Sequence, residues 1–89
     1  PGRSGPASMT RQRVPALVIA FDTTAQAIAA EALFTAQGLP GRMIPIPSQV
    51  SAGCGLAWKA EVDERPQLLA ALAQAGCGYE TDAVVQMYG

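Results

Sequence analysis

Eighty-nine residues carry six Lys and Arg, seven Asp and Glu and no His, for a formal net charge of −1. With 49% hydrophobic and 15% charged residues, the chain is a folded domain with one core and not a disordered segment. The missing His excludes Ser-His-Asp and Cys-His catalysis within the chain, and two Cys cannot close a four-ligand zinc site. The mild acidity argues against a nucleic-acid partner, and no apolar run approaches the roughly 18 residues of a membrane span.

Pro1–Ser8 is rich in Gly, Ser and Pro and stands just before Met9. It reads as a disordered expression remnant ahead of a single domain over 9–89. No apolar signal core follows it, so a cytoplasmic setting is expected, in which Cys54 and Cys77 stay reduced.

Val14–Phe21 is a short run rich in Val, Ile and Phe, closed by Asp22-Thr23-Thr24. Both of its alternating faces are apolar, which predicts a buried central strand. Thr23 and Gln26 have capping-box spacing, and Ala25, Ile28, Ala29, Ala32, Leu33 and Ala36 recur at helical intervals. A helix is predicted over about 24–37, closed by Gly38 and Pro40.

Arg42–Ile46 reads as a second strand, placed at a sheet edge because Pro45 cannot donate to a ladder. The loop over 47–55 is rich in Pro, Ser and Gly. Leu56, Trp58, Ala60 and Val62 then alternate with Ala57, Lys59 and Glu61, which predicts a half-buried strand. Asp63 is the expected cap of a second helix, with Pro66 in its first turn and Gly76 at its end. Val84–Tyr88 reads as a short last strand.

The order βαββαβ predicts an α+β, ferredoxin-like fold: a four-stranded antiparallel sheet in order 4-1-3-2 with two helices on one face. In that order the Pro45 strand is an edge and the first strand is central. The apolar second face of the first strand then predicts a homodimer or higher symmetric assembly.

The same topology brings the loop over 47–55, the helix start at Thr23 and Thr24, and Cys77 to one rim of the sheet. Cys54 lies between Gly53 and Gly55, whose backbone can turn sharply and leave N–H groups free for an anion. No acidic residue lies between Glu31 and Glu61, while Arg42 does. The helix start adds partial positive charge. These features favour a thiolate at Cys54, with Thr23, Thr24, Arg42, Gly53 and Gly55 as supporting loop and anion contacts. Against this stands a packed small residue in a turn. Thr23 and Thr24 also fit a plain helix cap, Arg42 a solvated edge charge, and Trp58 a core anchor. Cys77 follows the negative end of the second helix, which disfavours its thiolate; its functional alternative is a resolving thiol for Cys54. No metal or cofactor site is expected.

Four segments carry a family resemblance: Ala20-Phe21-Asp22-Thr23-Thr24, Ala29-Ala30-Glu31-Ala32-Leu33, the stretch from Gly38 to Pro47, and Ser51-Ala52-Gly53-Cys54-Gly55-Leu56-Ala57. Together they resemble the selenium/sulfur carrier protein-like family of small bacterial domains, over nearly all of 17–88. The most specific piece is Pro-x-Pro followed by Ser-x-Gly-Cys-Gly-Leu-Ala. The chain departs from the family pattern at Ala52, commonly Ser, and at Trp58, commonly aliphatic. Cys77 is not a family position.

The resemblance implies that Cys54 holds sulfur or selenium as a persulfide or perselenide. It implies a stoichiometric carrier and not an enzyme, with a donor such as a cysteine desulfurase and an unidentified acceptor. The alternative from another class is a non-catalytic ligand-sensing or assembly module that dimerises through its sheet.

Overall fold

The computed structural model describes residues 13–50 and 53–88, so the expected leader at 1–8 and the loop residues Ser51 and Ala52 lie outside it. The elements are β1 (Arg13–Ala20), α1 (Thr24–Ala36), β2 (Arg42–Pro45), β3 (Leu56–Ala60), a 3₁₀ turn (Val62–Glu64), α2 (Arg65–Ala75) and β4 (Thr81–Tyr88). The four strands form one antiparallel sheet in the order β2-β3-β1-β4, which is 4-1-3-2 read from the other edge.

β1 is central because both its faces are apolar, and Leu17, Val18, Ile19, Ala20 and Phe21 are all fully buried. Its ladder closes at Ala20, opposite Ala57 on one side and Thr81 on the other. Phe21 lies just past the strand, and its carbonyl accepts the Cys54 N–H at 3.3 Å. Thr23 is extended and caps α1, its hydroxyl accepting the Gln26 N–H at 3.1 Å. The Gln26 side chain reaches back to accept from Asp22, one residue before the cap, at 3.0 Å. The capping box therefore pins the strand-to-helix turn as well as the helix. α1 exits through Gly38 at φ 66°, and Leu39 donates back to the Phe34 carbonyl at 2.9 Å.

Three elements differ from expectation. β3 ends at Ala60, and Val62 turns away in the 3₁₀ segment that also takes Asp63. α2 starts at Arg65 with Pro66 in its first turn, capped by Glu64 without a side-chain bond, so Asp63 is not the cap. β4 begins at Thr81, three residues before the apolar run at Val84. Polar Thr81 and Asp82 belong to the strand because the edge position leaves them half-exposed while β1 supplies ladder partners.

One core joins the sheet to both helices, which therefore share a face. Leu17, Ile19, Phe21, Trp58 and Ala60 meet Ala27, Ala30 and Phe34 of α1 and Leu68, Ala71 and Leu72 of α2. Trp58 packs its ring 4.9 Å from that of Phe34 and donates its indole N–H to the Pro40 carbonyl at 3.0 Å. A buried indole with its donor satisfied is a core anchor.

Among the described residues no helix covers the opposite face, yet Val18, Ala20, Ala57 and Val85 are buried on it. Val50 packs against them from the loop that follows β2, with Ile44, Ile46, Ala83 and Met87 around it. The strap is held by Ile46 N–H to the Gly55 carbonyl at 2.9 Å and Val50 N–H to the Pro47 carbonyl at 3.0 Å. The Gln49 amide donates to the Gln86 carbonyl at 3.4 Å, so the strap reaches from the β2 edge to β4. Burying a valine of this kind is worth about 1.5–3 kcal/mol. The expected solvent exposure of Ala57 is corrected by this strap. Val50 covers the centre of the face whose apolar character led to the expectation of a homo-oligomer, while Val14 stays exposed.

Candidate functional site

The C-terminal end of β1 is one of four chain segments that meet at this rim. Cys54 donates its N–H to the Phe21 carbonyl, and Glu80 donates its N–H to the Ala20 carbonyl at 2.8 Å. The Cys54 loop and the entry to β4 therefore hang on consecutive carbonyls of one strand end. The Gly53 N–H donates to the Glu80 carboxylate at 2.9 Å, tying the two segments to each other. The fourth segment is the exit of α2, where the Cys77 thiol stands 4.0 Å from the Gln26 carbonyl. The expectation that Cys54, the helix start and Cys77 meet at one rim holds.

The two glycines beside Cys54 serve different needs. Gly55 adopts φ 76°, a left-handed conformation that side chains resist. Gly53 lies flat against the chain: a Cβ there would stand 2.6 Å from the Asp22 carbonyl oxygen, a backbone atom that cannot step aside. Both hold the Cys54 backbone where Phe21 receives it.

Cys54 is half-buried and free, as is Cys77. Its sulfur lies 3.3 Å from the Leu56 N–H, which donates to it, and 3.5 Å from the Leu56 carbonyl. An N–H can donate to a thiolate, whereas a carbonyl can only accept from a thiol. Cys77 meets carbonyls alone among the described residues, those of Gln26 at 4.0 Å and Gly78 at 3.8 Å.

The other expected residues fall as follows. Thr23 has its hydroxyl taken by the Gln26 N–H, so its visible work is the helix cap. Thr24 is exposed in the first turn of α1. Arg42 is exposed on β2. It pairs with Lys59, while Cys54 lies beyond Leu56, which pairs with Pro45. Three residues of strand separate those pairs, about 10 Å at the usual rise.

The rim is not free of carboxylates. Asp22 and Glu80 both stand there, and the Glu80 carboxyl raises Asp22 above the ordinary aspartate value of 3.8, chiefly through a side-chain hydrogen bond, then through desolvation and like charge. The gap in acidic residues between Glu31 and Glu61 gave no sign of this, because Glu80 arrives from another strand. Gln26 was legible as a capping partner, but not as the residue that fixes Asp22 and borders Cys77. Among the described residues no group of three His, Cys, Asp or Glu is placed to hold a metal ion, and no helix is long and apolar enough to cross a membrane.

The family model described as putative Se/S carrier protein-like matches residues 16–83. That span takes in both cysteines, the strap and Glu80. No curated protein and no solved structure matches the chain.

Proposed function

The chain belongs to the Se/S carrier protein-like family, and on that premise we propose that Cys54 is the thiol that accepts a sulfur or selenium atom and passes it on. The observation that carries the proposal is the environment of its sulfur. Cys54 sits half-buried between Gly53 and Gly55, with the Leu56 N–H 3.3 Å away and directed at the sulfur.

The cycle needs only exchange at sulfur. The Cys54 thiolate attacks the terminal sulfur of a donor persulfide, as a cysteine desulfurase would present. A bond forms between Sγ and that sulfur, the donor's sulfur–sulfur bond breaks, and the donor leaves as a thiolate. Cys54 then holds a persulfide, whose terminal sulfur is attacked in turn by an acceptor nucleophile, and the Cys54 thiolate is released. No net oxidation occurs in either step. A perselenide follows the same course with selenium as the atom moved. The Leu56 N–H stabilises the departing thiolate, and the turns at Gly53 and Gly55 keep it in place. The protein acts stoichiometrically, in a compartment that keeps its thiols reduced. Its arrangement of sheet and helices is read as ferredoxin-like. Assembly through the second sheet face, the alternative, has less apolar surface to use because Val50 covers its centre.

The test is the intact mass after incubation with a cysteine desulfurase and cysteine. Wild type and Cys77→Ser should gain one sulfur atom, sensitive to dithiothreitol, and Cys54→Ser should gain none. Equal loading of Cys54→Ser overturns the proposal.

A further inference from the structure

Glu80 lies 26 positions from Cys54 in sequence, yet its carboxylate accepts the N–H of the preceding residue, Gly53, at 2.9 Å. The Glu80 backbone is itself fixed, its N–H donating to Ala20 at 2.8 Å, one residue from the Phe21 carbonyl that receives Cys54. Gly53 has no room to shift inward, since the Asp22 carbonyl bounds it on the other side. A charged acceptor on a backbone N–H makes a stronger bond than a neutral one. The tie is therefore directional, runs from a rigid strand end, and reaches the residue adjoining the thiol. Nothing in it serves the core: Glu80 and Gly53 are both exposed.

We infer that Glu80 is a positioning residue for Cys54: its side-chain oxygen clamps the Gly53 N–H and so holds the carrier loop against the end of β1. The inference rests on the proposed carrier role of Cys54 for its functional consequence, though not for the clamp itself. The clamp depends on an oxygen acceptor at glutamate length, and the charge on that oxygen strengthens it. Glutamine keeps such an oxygen, aspartate keeps the charge but is one methylene shorter, and alanine keeps neither. The negative charge of Glu80 beside a loop meant to hold an anion is otherwise hard to account for, and a clamp gives it a use.

The test compares Glu80→Gln, Glu80→Asp and Glu80→Ala with wild type. The first readout is amide hydrogen exchange at Gly53 and Cys54 by NMR, and the second is sulfur loading of Cys54 from a desulfurase. Alkylation of Cys77 serves as the control for an intact rim. Glu80→Ala and Glu80→Asp should exchange the Gly53 amide about tenfold faster or more and load sulfur severalfold more slowly, from the loss of one charge-assisted bond. Glu80→Gln should fall between wild type and the alanine variant in both, since a neutral acceptor keeps about half the strength of a charged one. Should Glu80→Ala fail to fold, the Gln and Asp pair still decides. Wild-type exchange in Glu80→Asp, or a Glu80→Gln that behaves as the alanine variant, overturns the clamp. If wild type takes up no sulfur at all, the carrier role falls while the exchange arm still judges the clamp.

Discussion

Two Gly-Cys-Gly turns face each other across one rim, and they treat their thiols differently. In Gly53-Cys54-Gly55 the left-handed glycine follows the cysteine, and the chain folds back so that the Leu56 N–H meets the sulfur. In Gly76-Cys77-Gly78 the left-handed glycine precedes it and closes α2, and the Cys77 N–H is spent on the Leu72 carbonyl at 2.9 Å. The Cys77 sulfur is left among carbonyls at the negative end of a helix. The same three residue types make a turn that folds an N–H back onto the sulfur in one place and a helix terminus in the other. Their surroundings, and not their composition, decide which.

The difference can be broken most strongly through the strap. Val50→Ala removes the side chain that seals the second sheet face and should cost about 2–3 kcal/mol from lost burial and the cavity left behind. A lowered urea midpoint checks the cost. Because the strap runs on into the Cys54 loop and does not touch Cys77, labelling of Cys54 should change and that of Cys77 should not. Equal change at both thiols would mean that the rim moves as one unit.

Matched glycine substitutions sharpen the comparison. A Cβ at Gly53 would meet the Asp22 backbone oxygen at 2.6 Å, whereas one at Gly78 would meet the side-chain amide nitrogen of Gln26 at 3.0 Å. Gly53→Ala should destabilise by about 1–2 kcal/mol and displace Cys54, while Gly78→Ala should cost under about 1 kcal/mol. Thermal midpoints of the pair would decide it, and the reverse order would contradict the placement of Gly53.

The carboxyl pair gives a pH signature on the Cys54 side only. Asp22 is raised above 3.8 by its bond to Glu80, so stability from that bond is full below 3.8 and is lost as pH rises through the raised value. The like charge of Glu80 is among the causes of that rise. Asp22→Asn removes one of the two charges. It should flatten that part of the stability–pH profile and leave neutral-pH stability equal to or above that of wild type. Denaturation curves between pH 3 and 7 would show it; a variant less stable at neutral pH would contradict it. Smallest is the effect expected at Arg65, which pairs with Asp82 at 2.6 Å. With the Arg65 side chain half-exposed, Arg65→Ala should cost under about 1 kcal/mol and alter neither labelling rate.

The sheet order was legible because two residue signals were independent: Pro45 demands an edge, and the two apolar faces of β1 demand the centre. The rim followed from that order, and Cys54 with it. The strap was not legible, because a loop with one Val gives no periodic signal and nothing local says which face it will cross. The early start of β4 was hidden by Thr81 and Asp82, which only their pairing with Ala20 and Ile19 makes strand. Glu80 was hidden for the same reason. Its neighbour in space, Gly53, is reached through register and not through any spacing a reader can count.

The most direct measurement is residue-resolved alkylation of the reduced protein by iodoacetamide near neutral pH, followed by mass spectrometry of the two cysteine peptides. Cys54 should label about tenfold faster than Cys77, the scale of one hydrogen bond to a charged group. Equal rates, or a faster Cys77, would contradict the claim that the Leu56 N–H and the glycine turn make Cys54 the reactive thiol of the rim.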